Sequence, residues 1–120
     1  MECKNQIENF LYGIYHCKAV ITDSYHGTLF SIIFSKPFIS FSPIFSGIER
    51  FNTLKEIFNL NKRIFDFKNN SIQDIDINLL TKSLKLNKNN LKLLKKQSLN
   101  YLKKNLKRIY FIYFIISFLI

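Results

Sequence analysis

Cysteine, glycine and proline are all scarce in this chain of 120 residues, which has two Cys, three Gly and two Pro. Cys3 and Cys17 make no metal-ligand spacing, and no cleavable secretory signal precedes them, so a reduced, cytoplasmic setting is expected. His16 beside Cys17 does not alter this, because neighbours on a helix point about 100° apart and no second ligand pair exists. Cys17 is expected to be a small packing residue and His16 a surface or helix-end residue. A complete transmembrane helix is lacking too: the apolar run 109–120 would reach about 18 Å as a helix, against a hydrocarbon core of about 30 Å. No internal repeat is present. The shortage of Gly and Pro amid much Asn, Lys, Ile and Phe reads as compositional drift, so single Lys and Asn residues carry little weight.

What is present is enough for one domain with a modest core, since 48% of the residues are hydrophobic and 13 are Phe. The formal charge of +10 suggests nucleic-acid binding until it is located along the chain. Residues 1–76 hold eight acidic and eight basic side chains, and the excess is the ten Lys and Arg between Lys82 and Arg108. Such a charge belongs to one segment and not to a face of the fold. Aromatics lie in apolar runs and are not interleaved with the basic residues, so no nucleic-acid partner is expected.

Residues 5–16 place Ile7, Phe10, Leu11, Ile14 and Tyr15 at helical spacing, with Gly13 a mild weakness. Residues 18–22 read as a short strand buried on both faces. Residues 27–35 form an apolar, covered helix, and Pro37 launches a second strand over 38–41. A loop over 42–49 precedes a helix over 51–60, and residues 64–67 suit a short strand or extended edge. Asp74 or Asp76 is expected to cap a helix through roughly Lys85. Residues 90–109 then read as a basic amphipathic helix with Leu91, Leu94, Leu99, Leu102, Leu106 and Ile109 on one face.

The most informative stretch joins the first strand to the next helix: Ala19-Val20-Ile21-Thr22-Asp23-Ser24-Tyr25-His26-Gly27-Thr28. In open α/β sheets, ligands bind at the carboxyl ends of strands, against helix N-termini that present N–H groups and a positive dipole end. His26 stands there, with Gly27 allowing close approach of a ligand and Thr28 offering a hydroxyl and an N–H to an anion. Asp23 serves either as the helix cap or as the group that orients His26. Tyr25 and Ser24 are expected to be packing and turn residues. Arg50, after the second strand-end loop, is a further candidate for clamping a carboxylate or phosphate.

These residues resemble the signature of the polysaccharide pyruvyl transferase family: a Val-Ile-Thr-Asp-(Arg or Ser)-x-His-Gly stretch, an apolar helix and a Lys-Pro-led strand. The resemblance extends to Arg50-Phe51 with its helix, and to Lys95-Lys96-Gln97-Ser98-Leu99-Asn100-Tyr101-Leu102, so it covers roughly residues 5–108. Ser24 stands where many members have arginine. The resemblance is to the C-terminal portion of the family pattern, and it implies a two-domain, glycosyltransferase-B-like enzyme with its site between two Rossmann-like domains. On that basis residues 1–108 are expected to be a Rossmann-like α/β domain with a short parallel sheet, closed by the basic helix, with 109–120 an apolar tail. The N-terminal domain is then missing, and the chain alone is expected to be inactive.

The resemblance further implies transfer of pyruvate from phosphoenolpyruvate to a sugar hydroxyl pair as a ketal, in exopolysaccharide synthesis, with no cofactor or metal. Protonation of the enol carbon would give an electrophilic centre for a sugar hydroxyl, with phosphate departing later. His26, with an ordinary pKa of about 6.5, suits anion contact or proton movement. Gly27 and Thr28 would stand beside it, supported by Asp23 and Arg50. Two other readings compete: half of a nucleotide-sugar glycosyltransferase, and a non-enzymatic remnant docked on the inner face of a membrane through residues 88–120.

Overall fold

The computed structural model describes residues 6–105. Cys3, Leu106, Arg108, Ile109 and the tail to residue 120 therefore lie outside the described residues. The chain divides into two compact units, Met1–Lys85 and Leu86–Ile120.

In the first unit, helix α1 (Gln6–His16) turns Leu11 and Ile14 inward, but Ile7 and Phe10, expected on the same face, are exposed. Strand β1 (Val20–Thr22), helix α2 (Tyr25–Ile33) and strand β2 (Phe38–Phe41) follow, then helix α3 (Ile48–Phe58) and strand β3 (Ile64–Phe65). The strands form one parallel sheet in the order β1-β2-β3, with Val20 opposite Phe38 and Ser40 opposite Ile64. Parallel neighbours joined by helical crossovers make an open α/β layout compatible with a Rossmann-like domain.

Side chains alternate across a strand, and partners in register share a face. Val20, Thr22, Phe38, Ser40 and Ile64 therefore lie on one side, and Thr22 and Ser40 identify it as the side covered by α2. A Cβ on Gly27 would meet the Thr22 side chain, and Thr28 Oγ1 is 2.6 Å from Ser40 Oγ. Seven consecutive residues of α2, Gly27 to Ile33, are buried, which is the covered helix its composition predicts. Ser35 (φ 54°) turns the chain out of α2 ahead of Pro37.

Four expectations need correction. α3 runs from Ile48 to Phe58 and not over 51–60, so Arg50 stands in its first turn. β1 is not buried on both faces: it is an edge strand, and Ile21, on the face away from α2, is 65% exposed. α2 starts at Tyr25, two residues early, because its cap is Ser24. No α-helix runs from Asp74 to Lys85; two short 3-10 turns, Ile72–Asp74 and Ile77–Thr81, occupy that stretch. The aspartates explain it, since the Asp74 carboxylate accepts from Ser71 N–H (2.7 Å) and that of Asp76 from Asn78 N–H (3.0 Å). Such local bonds compete with helix propagation, and Ile72 and Ile77, both exposed, supply no burial to oppose them.

Arg63, at the amino end of β3, ties that stretch to the sheet. Its guanidinium is buried and donates to the carbonyl oxygens of Phe38 (3.2 Å), Leu79 (2.9 Å) and Lys82 (3.0 Å). At the other end of β3, the Asp66 carboxylate accepts from Lys68 N–H, Asn69 N–H and Asn69 Nδ2. The bond from the Asn69 side chain is the main cause holding this carboxyl below the usual range.

The second unit contributes helix α4 (Lys88–Asn105), started by the Asn87 side chain, which accepts from the N–H groups of Asn89 and Asn90. Among the described residues, no helix is long and apolar enough to cross a membrane.

Candidate functional site

Parallel pairing puts the loops after β1 and β2 at the same, carboxyl edge of the sheet. Thr22, the last residue of β1, starts the local build by accepting the Ser24 N–H on Oγ1 (3.0 Å). Ser24 is extended (φ −87°, ψ 133°), and its hydroxyl accepts the Gly27 N–H (3.2 Å). The helix therefore opens with Tyr25 and His26 in its first turn. The capping role considered for Asp23 falls to Ser24, and Asp23 is exposed on the turn.

Gly27 and Thr28 belong to the seam between helix and sheet. A Cβ on Gly27 would lie 2.6 Å from Thr22 Oγ1 and 3.2 Å from Thr22 Cβ and Cγ2, so glycine is required for this approach of helix to strand. Its N–H is engaged by the cap, and the Thr28 N–H by the Ser24 carbonyl (3.0 Å). The Thr28 hydroxyl is fully buried, donating to the Ser24 carbonyl (2.9 Å) and contacting Ser40 Oγ.

His26 is half-buried, and its ring meets that of Tyr25 edge-on at 5.5 Å. Tyr25 is also the link to the second loop. Phe51 of α3 packs edge-on against it (5.7 Å), and the Arg50 guanidinium lies over its face, 4.6 Å from the ring centre. Gly47 (φ 87°) ends the loop in the left-handed region, and a Cβ there would be 3.5 Å from an Arg50 Nη atom. Burial first, and then the positive charge of Arg50, lower the His26 pKa from its ordinary value of 6.5. Both causes favour the uncharged form of the imidazole.

The structure therefore brings His26 and Arg50 to one place, mediated by Tyr25. Sequence reasoning took Tyr25 only as packing; its position one residue before the histidine, with an arginine at the start of the next helix, was the available signal. Two cavities lie elsewhere, one of about 770 Å³ along α4 and one of about 410 Å³ lined by Leu60, Arg63, Leu79 and Lys85, and neither includes His26. Cys17 is a free thiol donating to the Ile14 carbonyl, and His16 stacks with Tyr12 at the end of α1. Among the described residues, no three His, Cys, Asp or Glu side chains cluster as metal ligands.

His26 and Arg50 thus stand at the carboxyl edge of an open parallel α/β sheet. Residues 2–43 match the family model described as Polysaccharide pyruvyl transferase, the family that the motif around His26 resembles. The match holds α1, β1, α2 and β2 and stops short of Arg50, so it is narrower than the span of 5–108 over which the resemblance was traced. Searches of curated proteins and of solved structures gave no match.

Proposed function

We propose that the carboxyl edge of β1 and β2 is the donor-binding wall of a pyruvyl transferase, which takes phosphoenolpyruvate and passes pyruvate to a saccharide hydroxyl pair as a ketal. The observation that supports this most is the placing of a half-buried His26, its pKa lowered, beside Arg50, with His26 inside the stretch matched by the family model. Gly27 and Thr28 act here through the seam that fixes the helix mouth. The charge that meets the donor comes from Arg50, whose planar guanidinium suits a carboxylate or phosphate.

His26 supplies the proton chemistry. An anion bound beside a neutral imidazole raises its pKa, so donor binding draws a proton onto His26. That proton can pass to the methylene carbon of phosphoenolpyruvate, leaving the adjacent oxygen-bearing carbon electrophilic, and a sugar hydroxyl attacks it as its own proton returns to His26. Phosphate then departs, and the second hydroxyl closes the ketal. Asp23, three residues before His26 on the same turn, orients the imidazole in this scheme. A preceding domain would supply the opposite wall and the acceptor, in the manner of glycosyltransferase-B-like enzymes. The wall alone then binds donor without turning it over.

Calorimetric titration of the chain with phosphoenolpyruvate tests this reading. Binding should weaken about ten-fold or more in both His26→Ala and Arg50→Gln, as expected for lost charge-assisted hydrogen bonds. Binding of a nucleotide sugar, with none of phosphoenolpyruvate, would instead make this the half-site of a glycosyltransferase.

A further inference from the structure

Helix α4 gathers part of the cationic excess of the chain on one face. Helix α4 carries six lysines and no acidic residue. At about 100° per residue, Lys88, Lys92, Lys96 and Lys103 fall within an arc of about 80°, and all four are exposed. Leu91 and Leu94, with the buried Ser98, lie on the less exposed side. Leu93, 56% exposed, flanks the lysine row.

We propose that this row is a docking face for an anionic lipid surface. Its length, about 23 Å from Lys88 to Lys103, presents charge along a line that a flat layer of anionic headgroups can meet at every lysine. No acidic residue follows Asp76, so nothing later in the sequence opposes that charge. The sequence beyond the helix adds Lys107 and Arg108 and then a run, 109–120, that is apolar or aromatic except for Ser117. A cationic segment next to an apolar one combines the two weak signals that stable peripheral attachment requires. Nucleic acid fits less well, because α4 carries one aromatic residue, Tyr101, among its six lysines, too few to stack successive bases.

Sedimentation of the full chain with vesicles tests the proposal independently of the donor site. Vesicles containing phosphatidylserine should bind the chain, vesicles of phosphatidylcholine alone should not, and added salt should release it. Each lysine near such a surface contributes about five-fold in affinity, so changing Lys88, Lys92, Lys96 and Lys103 together to Gln should weaken binding by several hundred-fold. These side chains are exposed, so an unchanged circular dichroism spectrum will show that the variant is folded. Equal binding to neutral vesicles, retained binding by the variant, or binding to RNA with none to anionic vesicles would each overturn the proposal.

Discussion

Replacing Gly27 with Ala probes the seam that sets the helix mouth. The new methyl would sit 2.6 Å from Thr22 Oγ1 and 3.2 Å from Thr22 Cβ and Cγ2. Thr22 cannot easily turn away, because β-branching restricts its χ1 angle and its Oγ1 holds the Ser24 N–H. Overpacking of this kind costs about 1–3 kcal/mol, and the better helix propensity of Ala returns at most about 1. The expected net loss is about 1–2 kcal/mol, read by urea denaturation of the full chain followed by circular dichroism. Thr22→Ala alone should cost about 1 kcal/mol through the lost hydrogen bond. The double variant should be more stable than the sum of the two, by about 1 kcal/mol or more, because Oγ1 and Cγ2 are gone. Additive behaviour, or a Gly27→Ala variant at least as stable as the parent, would refute the packing account. Unchanged stability with lost phosphoenolpyruvate binding would return Gly27 to a direct role at the ligand.

Other perturbations follow from the same geometry. Gly13 has nothing within 4 Å of a Cβ position, so Gly13→Ala should stabilise α1 by about 0.5–1 kcal/mol in the same denaturation assay. Arg63→Met should cost about 3 kcal/mol, since three carbonyls lose a charged donor, and hydrogen exchange should show residues 77–82 losing protection. The folded-state pKa of His26 is lowered, so the unfolded chain binds more protons as pH falls; the stability linked to His26 is complete above about pH 6.5 and is lost below it. Denaturation midpoints should therefore fall between about pH 7.5 and about pH 5.5, and less so in His26→Gln.

Much of the first 65 residues was legible because their signals are local and agree with one another. Apolar spacing marked α1, Pro37 marked the start of β2, and the run from Leu29 to Phe34 marked a covered helix. The exposure of Ile21 was not legible, because three β-branched or polar residues look alike in an edge strand and a central one. The cap was considered only for Asp23, with Ser24 taken as a turn residue, although serine favours that position as strongly. Extended geometry at Ser24, fixed by the Thr22 hydroxyl, decided it. Residues 71–82 were misread because aspartates that look like caps of one long helix instead close separate short turns. At the site, the nearness of Arg50 to His26 depends on the first turns of α2 and α3 meeting at one sheet edge, and Tyr25 as their go-between is a tertiary fact.

The most direct test of the central claim is an NMR titration of the His26 imidazole, without ligand and with saturating phosphoenolpyruvate. The account predicts a pKa below 6.5 in the free chain, rising when the donor binds, with the free value moving upward in Arg50→Gln as the cation is removed. A free value at or above 6.5, or one that phosphoenolpyruvate leaves unchanged, would contradict it.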